Sequence, residues 1–373
     1  MSTFAKRSAL LAALCGAALA ACGSQEVEAP PAAPQVRDGL VPGRVTEIAD
    51  GLDMPWGLAF LPDGTALVAG RASAEIHYVP AAGGEPALVG RVPGVEESAE
   101  GGLLGLAVSP DFADDRTVYA YASASPTNRV VALRVAEDLR SLRQERVVLD
   151  GIRTGNRHHG GRLRFGSDGH LWITTGDAFD DPDIAADRNS LNGKVLRVRP
   201  DGSIPPGNPF STPVYSYGHR NVQGLAFGPA GTAYAAELGL NEWDELNRLE
   251  PGADYGWPES EGPSGSRGEP PLFWLSPEQA SPSGIAYAGG AVWMAALRGQ
   301  RLWRLPVDSR GAPDGEPVAY FGERYGRLRT VEVAPDGALW VTTSNTDEAT
   351  LGGTPPREGD DRILRVELVP AGA

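Results

Sequence analysis

Five histidines occur in the 373-residue sequence, at positions 77, 158, 159, 170 and 219, and two of them stand together in GNRHHGGRLRFGSDGHLWITTGD. Imidazole is the side chain whose ordinary pKa suits proton transfer near neutral pH. The pair His158-His159 leads into an alternating apolar run, which places it at a strand entrance. There it is either a catalytic group facing a central channel or ordinary loop polarity. Asp177 ends WITTGD, and strand geometry sets it across from His158, where a carboxylate would orient the imidazole. An Asp that merely caps the strand-to-loop turn is the other reading. Arg327 and Arg329, in GRLR, fall on one face of a strand by alternation. Cys15 and Cys22 are the only cysteines, and both lie in the N-terminal segment. The rest of the chain therefore has no disulfide, no thiolate metal site and no cysteine nucleophile.

These residues need a frame, and a repeat supplies it. Six copies of an apolar strand, most opening on Gly, run into a Pro-Asp-Gly type turn and out into a second strand. They begin at Gly57, Gly105, Gly161, Gly224, Gly284 and Thr330, spaced roughly 45 to 65 residues apart. Each reads as a hairpin, since Asp-Gly and its equivalents supply the positive φ of a tight turn. A further strand follows each hairpin, so every unit has at least three. The spacing predicts an all-β, six-bladed β-propeller. A strand near Arg44–Ala49 has no hairpin of its own and is expected to close the last blade, joining the two ends of the chain and removing exposed sheet edges.

Composition fits this class. Helical periodicity is nearly absent, and 48 Gly with 32 Pro suit many short strands joined by turns. Lys6 and Arg7 precede an apolar run too short to span a bilayer, the pattern of a signal peptide over residues 1–21. It ends in Leu19-Ala20-Ala21-Cys22, similar to the lipobox of bacterial lipoproteins, which implies acylation of Cys22 and, with Gly23 and Ser24 following, outer-membrane sorting. An ordinary cleavage site beside a Cys is the alternative. Residues 22–40 are rich in Pro, Ala and Glu and read as a disordered tether, leaving 41–373 as one propeller domain on the periplasmic side of the membrane. The formal charge of −15 repels phosphate backbones, so nucleic acid is not an expected partner.

GGLLGLAVSPDF, the His-x-Gly-Gly-Arg-Leu run at His158, GKVLRVRPDGSIPPGNPF, YSYGHRNVQGLAF, WDELNRLEPGADYGWP and GRLRTVEVAPDG follow one another in the order of a known family. Together they resemble the soluble glucose and sorbosone dehydrogenases that use pyrroloquinoline quinone (PQQ), in particular the bacterial aldose sugar dehydrogenases. The resemblance covers about residues 44 to 368. It implies PQQ in the channel of a six-bladed propeller, a calcium ion polarising it, and oxidation of an aldose at the anomeric carbon to a lactone, with a quinone or cytochrome taking the electrons onward. His158 matches the family's general base. His159 falls where the family varies and is expected to line the channel beside it. Arg220, Asn221, Arg298, Arg327 and Arg329 match positions that touch the cofactor, a trianion suited to forked cationic donors. The catalytic calcium is held in the family by two consecutive carbonyls of a Gly-Pro pair, here Gly239-Leu240. A second, structural calcium is matched by Glu245 and Tyr255. Glu100 stands where relatives place Gln near the quinone, and its carboxylate is expected either to repel PQQ or to pair with an arginine.

Two other functions remain compatible with such a scaffold. One is a calcium-dependent lactone hydrolase, which requires a ring of carboxylate and Asn ligands that these motifs do not supply. The other is a non-enzymatic surface propeller that binds carbohydrate or protein, for which the base and the arginines would be superfluous.

Overall fold

The computed structural model describes residues 39–347 and 356–372. The signal peptide, Cys22 and nearly all of the tether lie outside these. Among the described residues no helix is long and apolar enough to cross a membrane.

Local turn chemistry builds the repeat. In the first hairpin Leu61 and Thr65 pair across the turn, Asp63 accepts the Thr65 amide at 2.9 Å, and Gly64 takes φ +85°. The sixth hairpin repeats the device with Ala334, Asp336, Gly337 and Ala338. Asx geometry and a left-handed glycine are what Pro-Asp-Gly encodes.

Six four-stranded antiparallel sheets result, and in five of them the strands follow chain order. The innermost strands are Pro55–Phe60, Leu103–Val108, Leu163–Phe165, Val222–Phe227, Pro282–Ala288 and Leu328–Val333. The last blade takes its outermost strand, Leu40–Ala49, from the other end of the chain, pairing Val45 with Val366 and Thr46 with Arg365. The expected closure is present, over a longer strand than the sequence marks. Sequence patterning also misses the fourth strand of the other blades, such as Ala87–Arg91 and Phe273–Leu275. These two have five and three residues and are partly exposed, so they carry no continuous apolar signal.

One hydrophobic cluster fills each space between neighbouring blades, from Leu67, Ile76, Leu106 and Phe112 between the first two to Leu58, Val68, Trp340 and Ile363 between the last and the first. Glycine at the start of the inner strand answers to crowding near the axis. A side chain at Gly57 would strike the Leu104 carbonyl, and one at Gly105 the Gly161 carbonyl. In the sixth blade Thr330 replaces glycine and uses its hydroxyl to bond the Trp56 carbonyl at 2.5 Å, tying the last blade to the first.

Candidate active site

Residues entering the inner strands and residues leaving the second strands meet in one cavity of about 200 Å³. His158 arrives just before the third inner strand with φ +60°, a left-handed conformation unusual for a side chain of this size. Gly176, at the end of the adjoining strand, lets two backbones pack together there, because a Cβ would collide with the His158 carbonyl. The next residue, Asp177, thereby reaches the imidazole: Asp177 Oδ1 lies 2.7 Å from His158 Nδ1. The same carboxylate accepts the Phe179 amide at 2.8 Å and, through Oδ2, the Trp257 indole N–H at 2.8 Å. Burial alone would raise the Asp177 carboxyl. The hydrogen bond and charge of His158, with those two further donors, hold it below the usual carboxylate range. A carboxylate that only accepts requires the proton on Nδ1, which leaves the Nε2 lone pair of a neutral His158 as the base.

Of the two roles expected of Glu100, pairing with an arginine is not seen among the described residues. Glu100 lines the cavity as foreseen, and its Oε2 accepts the His158 backbone N–H at 2.9 Å. The expectation for His159 is corrected. It is 3% exposed and turned away from the cavity, with Nδ1 beside Asn128 Oδ1 at 3.2 Å and Ser123 Oγ at 3.3 Å.

The cavity wall is strongly basic. Arg71, Arg157, Arg220, Arg298, Arg327 and Arg329 line it against only Glu100, Asp244 and Asp347, a formal surplus of three positive charges. Asp347 joins Arg71 at 3.2 Å and also pairs closely with Arg329. Arg220 donates Nη1 to the Leu238 carbonyl at 3.0 Å, and its guanidinium lies 5.4 Å from the Trp257 ring. Burial lowers the Arg220 and Arg329 guanidinium groups, and burial together with Arg329 pushes Arg327 down to about 10. Nε of Arg71 and of Arg220 are buried with no hydrogen-bond partner among the described residues. Asn221 holds the histidine segment, accepting the Gly160 amide at 3.0 Å. Arg298 is partly exposed and meets Glu278 at 2.8 Å while still lining the cavity.

Gly239 and Leu240 also line this cavity. The Gly239 amide bonds Asp244 Oδ1 at 3.0 Å, and the Ser281 amide bonds Asp244 Oδ2 at 2.7 Å; burial pushes that carboxyl up to about 7. Glu245 and Tyr255 line a separate cavity of about 260 Å³ with residues of the 260–270 loop. Both Glu245 oxygens accept hydrogen bonds, from Gly262 at 2.6 Å and Asn247 at 3.0 Å, and burial with the nearby Glu237 raises it to about 7. The Tyr255 hydroxyl is committed within its loop, donating to the Arg248 carbonyl at 2.5 Å and accepting the Glu250 amide at 3.0 Å. Cys22 lies outside the described residues.

The cavity thus gathers nine of the residues singled out from sequence, with Asp177 one hydrogen bond behind. Sequence reasoning missed Trp56, Arg71, Gln223, Asp244 and Asp347 on the wall, and Trp257 behind Asp177. A positional signal existed for two of them. Arg71 and Asp347 follow the second strands of their blades, Ala66–Gly70 and Leu339–Thr343, as Asp177 follows Leu171–Thr174.

The sequence matches the family described as Glucose / Sorbosone dehydrogenase over residues 52–351. Aldose sugar dehydrogenase YliI of Escherichia coli K12 is 30% identical over 349 residues, spanning 83% of this chain and 92% of that relative. Among solved structures, the PQQ-bound aldose sugar dehydrogenase of Streptomyces coelicolor is 48% identical with a TM-score of 0.84, covering 91% of this chain and all of that one. The soluble aldose sugar dehydrogenase of E. coli, in its apo form, gives 27% identity and a TM-score of 0.75 over 87% of this chain and 99% of that one. A six-bladed frame, a match to the family over residues 52–351 and likeness across most of both chains lead to one conclusion: this protein belongs to the glucose/sorbosone dehydrogenase family.

Proposed function

We propose that the protein is a PQQ- and calcium-dependent dehydrogenase that oxidises aldoses at the anomeric carbon to lactones, with His158 as general base. The observation that carries this reading is the cavity itself: a surplus of three positive charges surrounds an imidazole whose Nδ1 is committed to Asp177. PQQ is a tricarboxylate, and the wall fits it in charge. The unpartnered, buried Nε atoms of Arg71 and Arg220 fit it in donors, since buried N–H groups left without acceptors are costly. Arg220, Asn221, Arg298, Arg327 and Arg329, joined by Arg71, would hold it.

Calcium takes oxygen ligands, carbonyls included. Gly239 and Leu240 offer two in sequence, and replacing proline by leucine at 240 removes no donor atom. Among the described residues no three His, Cys, Asp or Glu side chains are grouped to hold a metal. Glu245, with backbone oxygen from the Tyr255 loop, would hold the second, structural ion.

When bound, the cofactor supplies a two-electron acceptor and calcium a Lewis acid for it. The chain's own groups do the rest. His158 Nε2 takes the proton of the anomeric hydroxyl as hydride leaves the same carbon, and the C–O single bond becomes the lactone carbonyl. Asp177 keeps Nδ1 protonated and stabilises the imidazolium that forms. A quinone or cytochrome takes the electrons onward, from an enzyme lipid-anchored through Cys22 on the periplasmic side of the outer membrane.

Purified protein reconstituted with PQQ and calcium should reduce a dye only when an aldose is present, with lactone as product by NMR. Dye reduction without lactone, or none with any aldose, overturns the reading.

A further inference from the structure

One carboxylate oxygen in this protein accepts four consecutive backbone amides. Glu261 Oε1 lies 3.1 Å from the amide nitrogen of Leu240, 3.3 Å from Asn241, 2.9 Å from Glu242 and 2.7 Å from Trp243. Leu240, Asn241 and Glu242 are exposed, so side-chain packing does little to fix this loop. The amides do. None of these peptides is cis. In a trans peptide the carbonyl of one residue points opposite to the N–H of the next. Drawing the Leu240 and Asn241 amides onto Glu261 therefore turns the Gly239 and Leu240 carbonyls, as a pair, to the other side of the loop. Both residues line the active-site cavity, and Glu261 does not. The Gly239 amide is held in turn by Asp244 Oδ1, so both ends of the carbonyl pair are tied.

We infer that Glu261 is a positioning residue for the cavity cation site: it presents the Gly239 and Leu240 carbonyls by gripping the amides behind them. The inference rests on the reading that these carbonyls hold calcium. Its logic is local. Proline at 240 would restrict φ without any N–H to offer, whereas leucine has an N–H and is otherwise free. Glu261 converts that N–H into the restraint. Glu261 is itself anchored, because the neighbouring Gly262 amide bonds Glu245 Oε1 at 2.6 Å.

The test reads calcium, not turnover. At fixed PQQ, the calcium concentration giving half-maximal cofactor binding is measured from the absorbance of the bound quinone. Glu261→Ala should raise that concentration by about 10- to 100-fold, the range seen when groups that orient metal ligands are removed. Glu261→Gln keeps an acceptor oxygen and should fall between parent and Ala. Leu240→Pro in the Glu261→Ala background should bring the requirement back toward the parent. A carboxylate acting only through its charge would show no such recovery. If the Ala variant does not fold, Glu261→Gln with and without Leu240→Pro carries the same comparison. Equal calcium requirements in the parent and the Glu261 variants, or no recovery with proline, overturn the inference. A parent that binds PQQ without any calcium dependence overturns the underlying site reading instead, and the two failures are distinct.

Discussion

His158 Nδ1 and Asp177 Oδ1 lie 2.7 Å apart, and the same carboxylate also accepts an indole N–H from Trp257 and the Phe179 amide. The acid is thus fixed by three donors from three loops, and it fixes one tautomer of the histidine. Two variants separate the roles. His158→Ala should keep PQQ, judged by the bound-quinone spectrum, and lose turnover by about 10² to 10⁴. Asp177→Asn offers an amide N–H to Nδ1 and so favours the tautomer protonated on Nε2, which has no lone pair facing the substrate. Turnover should fall comparably while sugar KM changes little. Full turnover in either variant removes that residue from the proton path.

Glu100 takes part through the backbone of His158 rather than through an arginine. Its carboxylate helps hold a histidine at φ +60°, yet it also lines a cavity built for an anion. Glu100→Gln keeps an acceptor for the His158 amide and removes a like charge, so PQQ should bind tighter, by up to about tenfold or 1.4 kcal/mol, with turnover retained. Glu100→Ala removes the acceptor as well and should lower turnover more than cofactor affinity. Quenching titrations with PQQ and steady-state rates distinguish the two. Weaker binding in the Gln variant would show that the carboxylate orders the site.

Blade number, ring closure and the presence of His158 in the cavity were legible because each leaves a local mark: a turn signal at regular spacing, an unpaired strand, a histidine at a strand entrance. What was not legible is reach. Nothing near Arg71 or Asp347 in sequence says that they meet, since they come from the first and last blades and touch only once the ring is closed. Which way His158 and His159 point was equally hidden. They are adjacent, but the left-handed turn at His158 aims one ring at Asp177 and the other at Asn128. Glu261 left no mark for a similar reason: its partners are backbone amides, which every residue but proline carries.

Membrane attachment rests on Cys22 alone in our reading, since no apolar helix among the described residues is long enough to span a bilayer. Cys22→Ser should therefore release the protein to the soluble periplasmic fraction or leave it unprocessed in cells. Immunoblots of fractionated cells decide it. Outer-membrane retention of the Ser variant would sink the lipid-anchor proposal.

Acid should destabilise the protein through His159 before it touches Asp177. Burial lowers His159 to about 4 from an ordinary 6.5; Glu100 raises it in part, while His158 and Arg71 add to the fall. A histidine depressed in the folded state is neutral there while the unfolded chain already binds the proton. The unfolded state therefore takes up more protons between about pH 6.5 and pH 4, and stability is lost as pH falls through that window. From pH 7 to pH 5 the loss from this group is about 2 kcal/mol. Asp177, held below the usual carboxylate range, gives up its contribution only at lower pH. Urea unfolding of the parent and of His159→Gln at pH 7 and pH 5 isolates the term. The variant should be less stable at pH 7, where the Asn128 and Ser123 contacts are altered, yet its stability should depend less on pH. Parallel pH dependence in the two proteins would mean that His159 takes up its proton in the folded state with no penalty, and that the acid limb comes from the carboxylates.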